Sequence, residues 1–259
     1  MPRLAANLSM MFNEVPFLDR FAAAAAQGFK GVEFLFPYDF PAAEIRKRLD
    51  DNGLAQVLFN MPPGDWAGGE RGLASLPGRQ GEFRDGVKRA LDYAAALDCP
   101  LLHCMAGIPA AGVPFGTAAA LYAQNVAWAA EHAAAAGRRL CLEPINHRDM
   151  PGFHLNTMAQ AAAVIAAIGA EKVGLQFDIY HCQITEGDIT RRMEHHMPII
   201  AHMQLADVPA RNEPGTGEIG WPYVFRRIDE LGYQGWIGCE YRPAGDTVAG
   251  LAWRQQFGV

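Results

Sequence analysis

Short apolar or β-branched runs alternate along this chain with longer Ala-rich or charged segments of helical period, and the unit recurs about eight times. The runs predict strands at Leu4–Leu8, Gly31–Phe34, Ala55–Asn60, Leu101–Cys104, Leu140–Glu143, Val173–Phe177, Ile200–Leu205 and Trp236–Glu240. Between them, helices are predicted at Pro16–Gln27, Pro41–Asn52, Gly81–Leu97, Thr117–Ala136, Asn156–Ile168, Asp188–Met197, Pro222–Leu231 and Asp246–Phe257. Strands separated by helical crossovers pair in parallel, because a parallel connection needs about a dozen or more residues. Eight such units in 259 residues predict an α/β chain folded as a single-domain (β/α)8 TIM barrel over residues 1–259. The Ala tracts Ala22–Ala26 and Ala133–Ala136 fit this picture as helix formers that let outer helices approach the barrel closely. Three connections are long, at 61–80, 105–116 and 206–221, and each follows a strand's C-terminus, where barrel enzymes carry their working loops.

Four apolar runs end on one oxygen-bearing side chain each: Leu140 to Glu143, Val173 to Asp178, Ile199 to Gln204 and Trp236 to Glu240. A single acid at a strand end caps a helix or faces solvent. Four at matching places, on strands whose C-terminal ends converge, predict a divalent-cation site held by Glu143, Asp178, Gln204 and Glu240, since carboxylates and a carboxamide are hard oxygen donors. Pro144 stops the strand after Glu143 and restricts that residue to an extended backbone. Glu240 holds the analogous place on the last strand. Two carboxylates reaching one site from different strands can face opposite sides of a small substrate, one removing a carbon-bound proton and one delivering it, so Glu143 and Glu240 are the expected acid/base pair.

His181 follows Asp178 by three residues and is read as a substrate contact or a support behind the ligands. Gln204 is an unusual ligand where His would serve as well. By period two, His202 shares its face in a deeper layer. Arg71, in the loop from Gly64 to Gly72, and Arg211, between Pro209 and Glu218, are the expected grips for a substrate carboxylate, because a planar guanidinium meets a carboxylate with two hydrogen bonds. Neither loop carries a phosphate-binding motif. Phe12, Phe34, Trp66 and Phe115 are candidates to exclude water from the site, with simple packing as the alternative. His195 and His196 are expected on the surface.

Half the residues are apolar and 19% are charged, an ordinary globular balance. The net charge of −6 and scattered basic residues argue against a nucleic-acid surface, and Arg46, Lys47 and Arg48 read as a solvated helix face. Five cysteines without a C-x-x-C pair fit neither a disulfide framework nor a zinc knuckle, so reduced thiols are expected. No apolar stretch approaches about 18 residues and the first residues do not form a charged-then-apolar leader, so a cytoplasmic protein with no membrane partner is expected.

The segments Gly64-Asp65-Trp66 to Gly69-Glu70-Arg71-Gly72, Glu143-Pro144-Ile145-Asn146, and Gln204-Leu205-Ala206-Asp207 with Pro214-Gly215-Thr216-Gly217-Glu218 carry a family resemblance. The chain resembles the hydroxypyruvate isomerase family, within the xylose isomerase-like TIM barrel superfamily, along essentially its whole length. The resemblance implies a metal held by Glu143, Asp178, Gln204 and Glu240, with Glu143 and Glu240 as acid and base. It also implies interconversion of hydroxypyruvate and tartronate semialdehyde. Mg2+ or Mn2+ is the expected ion and a small 2-oxo or 3-oxo hydroxy acid the expected partner, with homo-oligomerisation left open. The competing readings are a 2-oxo-tetronate isomerase or ketose 3-epimerase with the same site, an endonuclease-like metal hydrolase, and a barrel that binds a small acid without chemistry.

Overall fold

β1 (Arg3–Asn7) pairs in parallel with both β2 (Gly31–Phe34) and β8 (Trp236–Cys239), which closes the sheet on itself. Between them run β3 (Ala55–Asn60), β4 (Leu101–His103), β5 (Arg139–Leu142), β6 (Val173–Asp178) and β7 (Ile200–Leu205), each paired with its chain neighbours. This computed structural model describes residues 2–259. It is the expected (β/α)8 barrel, and each predicted strand is present with its bounds moved by a residue at most.

The outer layer is α1 (Arg20–Ala26), α2 (Ala42–Asn52), α3 (Gln80–Leu97), α4 (Phe115–Ala135), α5 (Met158–Ile168), α6 (Ile179–Thr185), α7 (Ile189–His196), α8 (Trp221–Glu230), α9 (Thr247–Gly250) and α10 (Ala252–Phe257). α6 was not expected. It starts on the residue after β6, and Ile179 to Cys182 are all buried, so no amphipathic stripe announces it. The first predicted helix opens as a 3-10 turn over Phe17–Asp19, and the last is broken at Leu251.

Period two divides the strands into two faces. Outward positions such as Phe34, Phe59, Phe177 and Met203 join Phe21, Tyr122 and Trp221 in a continuous apolar shell between barrel and helices. Each such side chain contributes about 1.5–3 kcal/mol on leaving water. Inward positions hold a small cluster of Ala5, Val57, Leu58 and Cys141, and then, unusually for a barrel interior, Glu33, Gln176 and His202. Phe12 and Phe34 belong to the outer shell, Phe12 packing edge-on against Phe29, so neither shields the site. His195 is exposed as expected, but His196 is buried on the inner side of α7. All five cysteines are free and buried. Among the described residues no helix is long and apolar enough to cross a membrane.

Candidate active site at the carboxyl ends of the strands

β5 ends at Leu142 and β8 at Cys239, so Glu143 and Glu240 stand just past the last ladder residue of their strands, and Pro144 holds the first in place. Both line a cavity of ≈ 500 Å³ together with Asn60, His103, His181 and Arg211. Asp178 closes β6 and caps α6, its Oδ1 accepting the Tyr180 N–H at 2.8 Å. Glu143, Asp178 and His181 each bring a ligand-type atom within 4.8 Å of the others. Glu143 Oε1 and Asp178 Oδ2 are buried and make no hydrogen bond, which leaves two carboxylate oxygens out of water with their acceptor capacity unused. Two buried carboxylates converging beside an imidazole fit a divalent cation.

Arg211 enters this cluster from the loop after β7. Its side chain is 15% exposed, and its Nη2 donates to Glu240 Oε2 at 2.5 Å and lies 3.5 Å from Asp178 Oδ2. The guanidinium also covers the Tyr180 ring at 4.9 Å. Its loop is braced by the buried Asp207 carboxylate, which accepts the N–H groups of Val208, Gly215, Gly217 and Ile219 at 2.8–3.1 Å. A Cβ on Gly217 would strike the Val208 carbonyl, so the loop closes only over glycine there. Arg71 also lines the cavity, stacked on Trp66 at 3.9 Å and donating to the Trp66 carbonyl at 2.9 Å. Trp66 alone of the four shielding aromatics reaches the pocket; Phe115 is 62% exposed beside His154.

Gln204 is placed lower than its expected role suggests. It is buried in the barrel interior and lies outside the cavity wall, its Oε1 accepting from Gln176 at 2.6 Å and its Nε2 donating to Glu33 at 2.9 Å. Glu33 is the residue the sequence reading missed. Wholly buried, it also accepts from Asn7 at 3.0 Å and from His202 Nε2 at 2.6 Å, and Asn7 in turn reaches Glu240 at 3.3 Å. His202 does share Gln204's face one layer down. The space Glu33 fills is left open by Gly238 on β8. An acid in an otherwise apolar four-residue strand was the available signal. Arg148 and Arg242, also on the cavity wall, had none.

Burial governs the electrostatics. It raises Glu143 well above the carboxylate range, helped by the Glu240 and Asp178 charges. It pushes Glu240 up to about 8 and raises Asp178, in both cases against the pull of Arg211. Burial works against charge on Arg211 too, but Glu240, Asp178 and Glu143 outweigh it and lift its pKa. His181 is driven well below its ordinary value by burial and by Arg211, and His103 to about 3 by burial and by His202.

Residues 21–257 match the xylose isomerase-like TIM barrel family. The chain is 54% identical over 257 residues to the 2-oxo-tetronate isomerase of Cupriavidus necator, covering 99% of each. It is 46% identical to the hydroxypyruvate isomerase of Escherichia coli, covering 99% of this chain and 100% of that one. A solved structure described as AP endonuclease, family 2, from Brucella melitensis superposes with a TM-score of 0.96 at 50% identity over 99% of both chains. The chain therefore belongs to the xylose isomerase-like TIM barrel family, in the group whose named relatives are hydroxypyruvate and 2-oxo-tetronate isomerases.

Proposed function

We propose that this protein moves the carbonyl between adjacent carbons of a small hydroxy-oxo acid, with Glu143 and Glu240 as acid and base. The observation that carries this reading is a pair of buried glutamates on two strand tips lining one cavity, both held above the ordinary carboxylate range. A carboxylate so raised is a stronger base than one in water, and its acid form survives near neutrality, as proton transfer in both directions requires. One glutamate takes the proton from C3, the C–H electrons form a C2–C3 double bond, and charge collects on O2. The other returns a proton to C2 while the C3 hydroxyl proton passes to O2 and the O–H electrons form the C3 carbonyl, so atoms and charge balance.

Glu143, Asp178, Gln204 and Glu240 are the proposed holders of a divalent cation, Mg2+ or Mn2+; Gln204 would contribute from the layer beneath the cavity, where its Oε1 accepts from Gln176. Bound there, such an ion supplies Lewis acidity to the substrate oxygens that gain charge. We assign His181 and Arg211, both on the cavity wall, to the same oxygens, and Arg71, stacked on Trp66 at that wall, to the substrate carboxylate. The 54% identity to the 2-oxo-tetronate isomerase of Cupriavidus necator favours 2-oxo-tetronate as the preferred substrate. Hydroxypyruvate, the substrate expected from sequence, would then be the shorter compound the same site accepts. The arginines on the cavity wall ring a single pocket in a chain of net charge −6, whereas a DNA backbone would need cations spread along a groove. We place the enzyme in the cytoplasm, in keeping with its five free thiols.

The test is NMR observation of the metal-reconstituted protein with 2-oxo-tetronate and hydroxypyruvate in parallel, with and without EDTA. EDTA-sensitive conversion with the higher kcat/KM on the four-carbon acid is the expected result. Preference for hydroxypyruvate would overturn the chain-length assignment, and failure on both acids would overturn the isomerase reading.

A further inference from the structure

His181 points its Nε2 at the carboxylates, 3.5 Å from Asp178 Oδ2 and 3.8 Å from Glu143 Oε1. With Glu143 and Asp178 it forms the one three-residue cluster of possible metal ligands among the described residues that includes a nitrogen. Whether that nitrogen can bind a cation depends on where the ring carries its proton, and the turn after β5 decides it.

Two backbone amides, whose donor role is fixed by chemistry, settle the orientation of everything between them. Asp149 N donates to Asn146 Oδ1 at 2.8 Å, so the oxygen of the Asn146 amide faces Asp149 and its nitrogen faces away. That nitrogen, Nδ2, lies 2.6 Å from His181 Nδ1, and 3.3 Å from Asp149 Oδ2, an acceptor as the orientation demands. Asn146 N points at the same His181 Nδ1 from 3.3 Å. Reversing the amide would set an N–H against the Asp149 N–H. Protonating Nδ1 would set an N–H against both donors of Asn146. Nδ1 must therefore accept, which excludes both the imidazolium and the Nδ1–H tautomer.

We infer that Asn146 is a positioning residue that keeps the His181 proton on Nε2, making His181 a neutral hydrogen-bond donor to the substrate rather than a ligand of the cation. A ring nitrogen that bears its proton has no lone pair in the ring plane to give a metal, so the cation is left to the oxygen donors. The same N–H, preorganised beside Glu143 and Asp178, lies where a substrate oxygen would gain charge. The role of His181 in turnover rests on the isomerase reading, but the position of its proton does not.

The experiment is long-range 1H–15N correlation on the full-length protein labelled with 15N-histidine, with the His181 signal assigned by its loss in His181→Gln. At neutral pH the ring is expected to show the neutral Nε2–H pattern, unchanged when Mg2+ is added to saturation. Asn146→Asp replaces the donor at Nδ1 with an acceptor and is expected to move a proton onto Nδ1. Asn146→Ala keeps the backbone donor and is expected to keep the Nε2–H pattern. An Nδ1–H pattern in the unaltered protein, or loss of the Nε2 proton on adding Mg2+, would overturn the inference, and both can be read even if the variants do not fold. In a turnover assay Asn146→Asp is expected to lower kcat by about 10- to 100-fold with a smaller change in KM. If the protein turns over neither acid, the tautomer measurement still stands and only the isomerase reading fails.

Discussion

Phe177 and Gln176 are neighbours on β6, yet they belong to different regions of the molecule: Phe177 packs in the shell under the helices, and Gln176 sits in the polar interior bonded to Gln204. The same division separates Phe34 from Glu33 and Met203 from His202. The outer region is held by apolar burial, which is non-directional and tolerates exchange of shape at constant volume. The inner region is held by directed hydrogen bonds among groups that would each be costly if left alone. Stability therefore resides mostly outside the barrel and chemistry inside it, and the two can be perturbed separately.

The largest effect is expected inside. Glu143→Gln and Glu240→Gln should each lower kcat by about 10²- to 10⁴-fold or more, because general acid/base catalysis supplies about that much. Glu143→Gln should keep the circular dichroism and melting temperature of the parent, whereas Glu240→Gln removes the partner of the buried Arg211 and should melt lower while still folding. Retained turnover in Glu240→Gln would sink the acid/base assignment. Outside, Phe177→Ala should cost about 3–5 kcal/mol of stability, read from the denaturation midpoint, while kcat per folded molecule stays within about twofold of the parent if the two regions are independent. Glu33→Gln sets a new N–H among three donors and should cost about 1–3 kcal/mol. Because Glu33 orients Gln204, it should also weaken Mn2+ binding measured by calorimetry. An unchanged Mn2+ affinity would show that Gln204 does not depend on Glu33.

The smallest effect concerns pH. Glu240 is raised from 4.5 to about 8 in the folded chain, chiefly by burial, so between those values the folded state holds a proton that the unfolded state releases. Its contribution to stability is complete below about pH 4.5 and lost as pH rises through about 8. Metal-stripped protein should accordingly melt lower at pH 9 than at pH 6, with a shallower slope in Glu240→Gln. A melting temperature that rises over this range would contradict the assigned burial of Glu240.

The barrel could be read from the chain because its outer region obeys a simple rule. Strands such as Ala55–Asn60 and Ile200–Leu205 are found at the predicted bounds, where β-branched and apolar runs are ended by polar loop residues. Glu143, Asp178 and Glu240 were visible as acids ending such runs. Glu33 was not, because one acid among Gly31, Val32 and Phe34 resembles an exposed edge position until β8 is folded against it. α6 and the burial of His196 were hidden for a related reason, since both depend on which neighbour covers the segment.

By itself the sequence determined the alternation of strands and helices, the closed parallel topology and the acids that end the later strands. These follow from periodicities of two and 3.6 residues, which are local properties of the backbone. Only the tertiary structure decided that Arg211 bridges Glu240 and Asp178, that Gln204 hangs from Glu33, and that Asn146 faces the ring of His181. Those pairs are joined across 29 to 171 residues of chain. Their geometry is set by barrel closure, which brings together side chains that no local pattern relates.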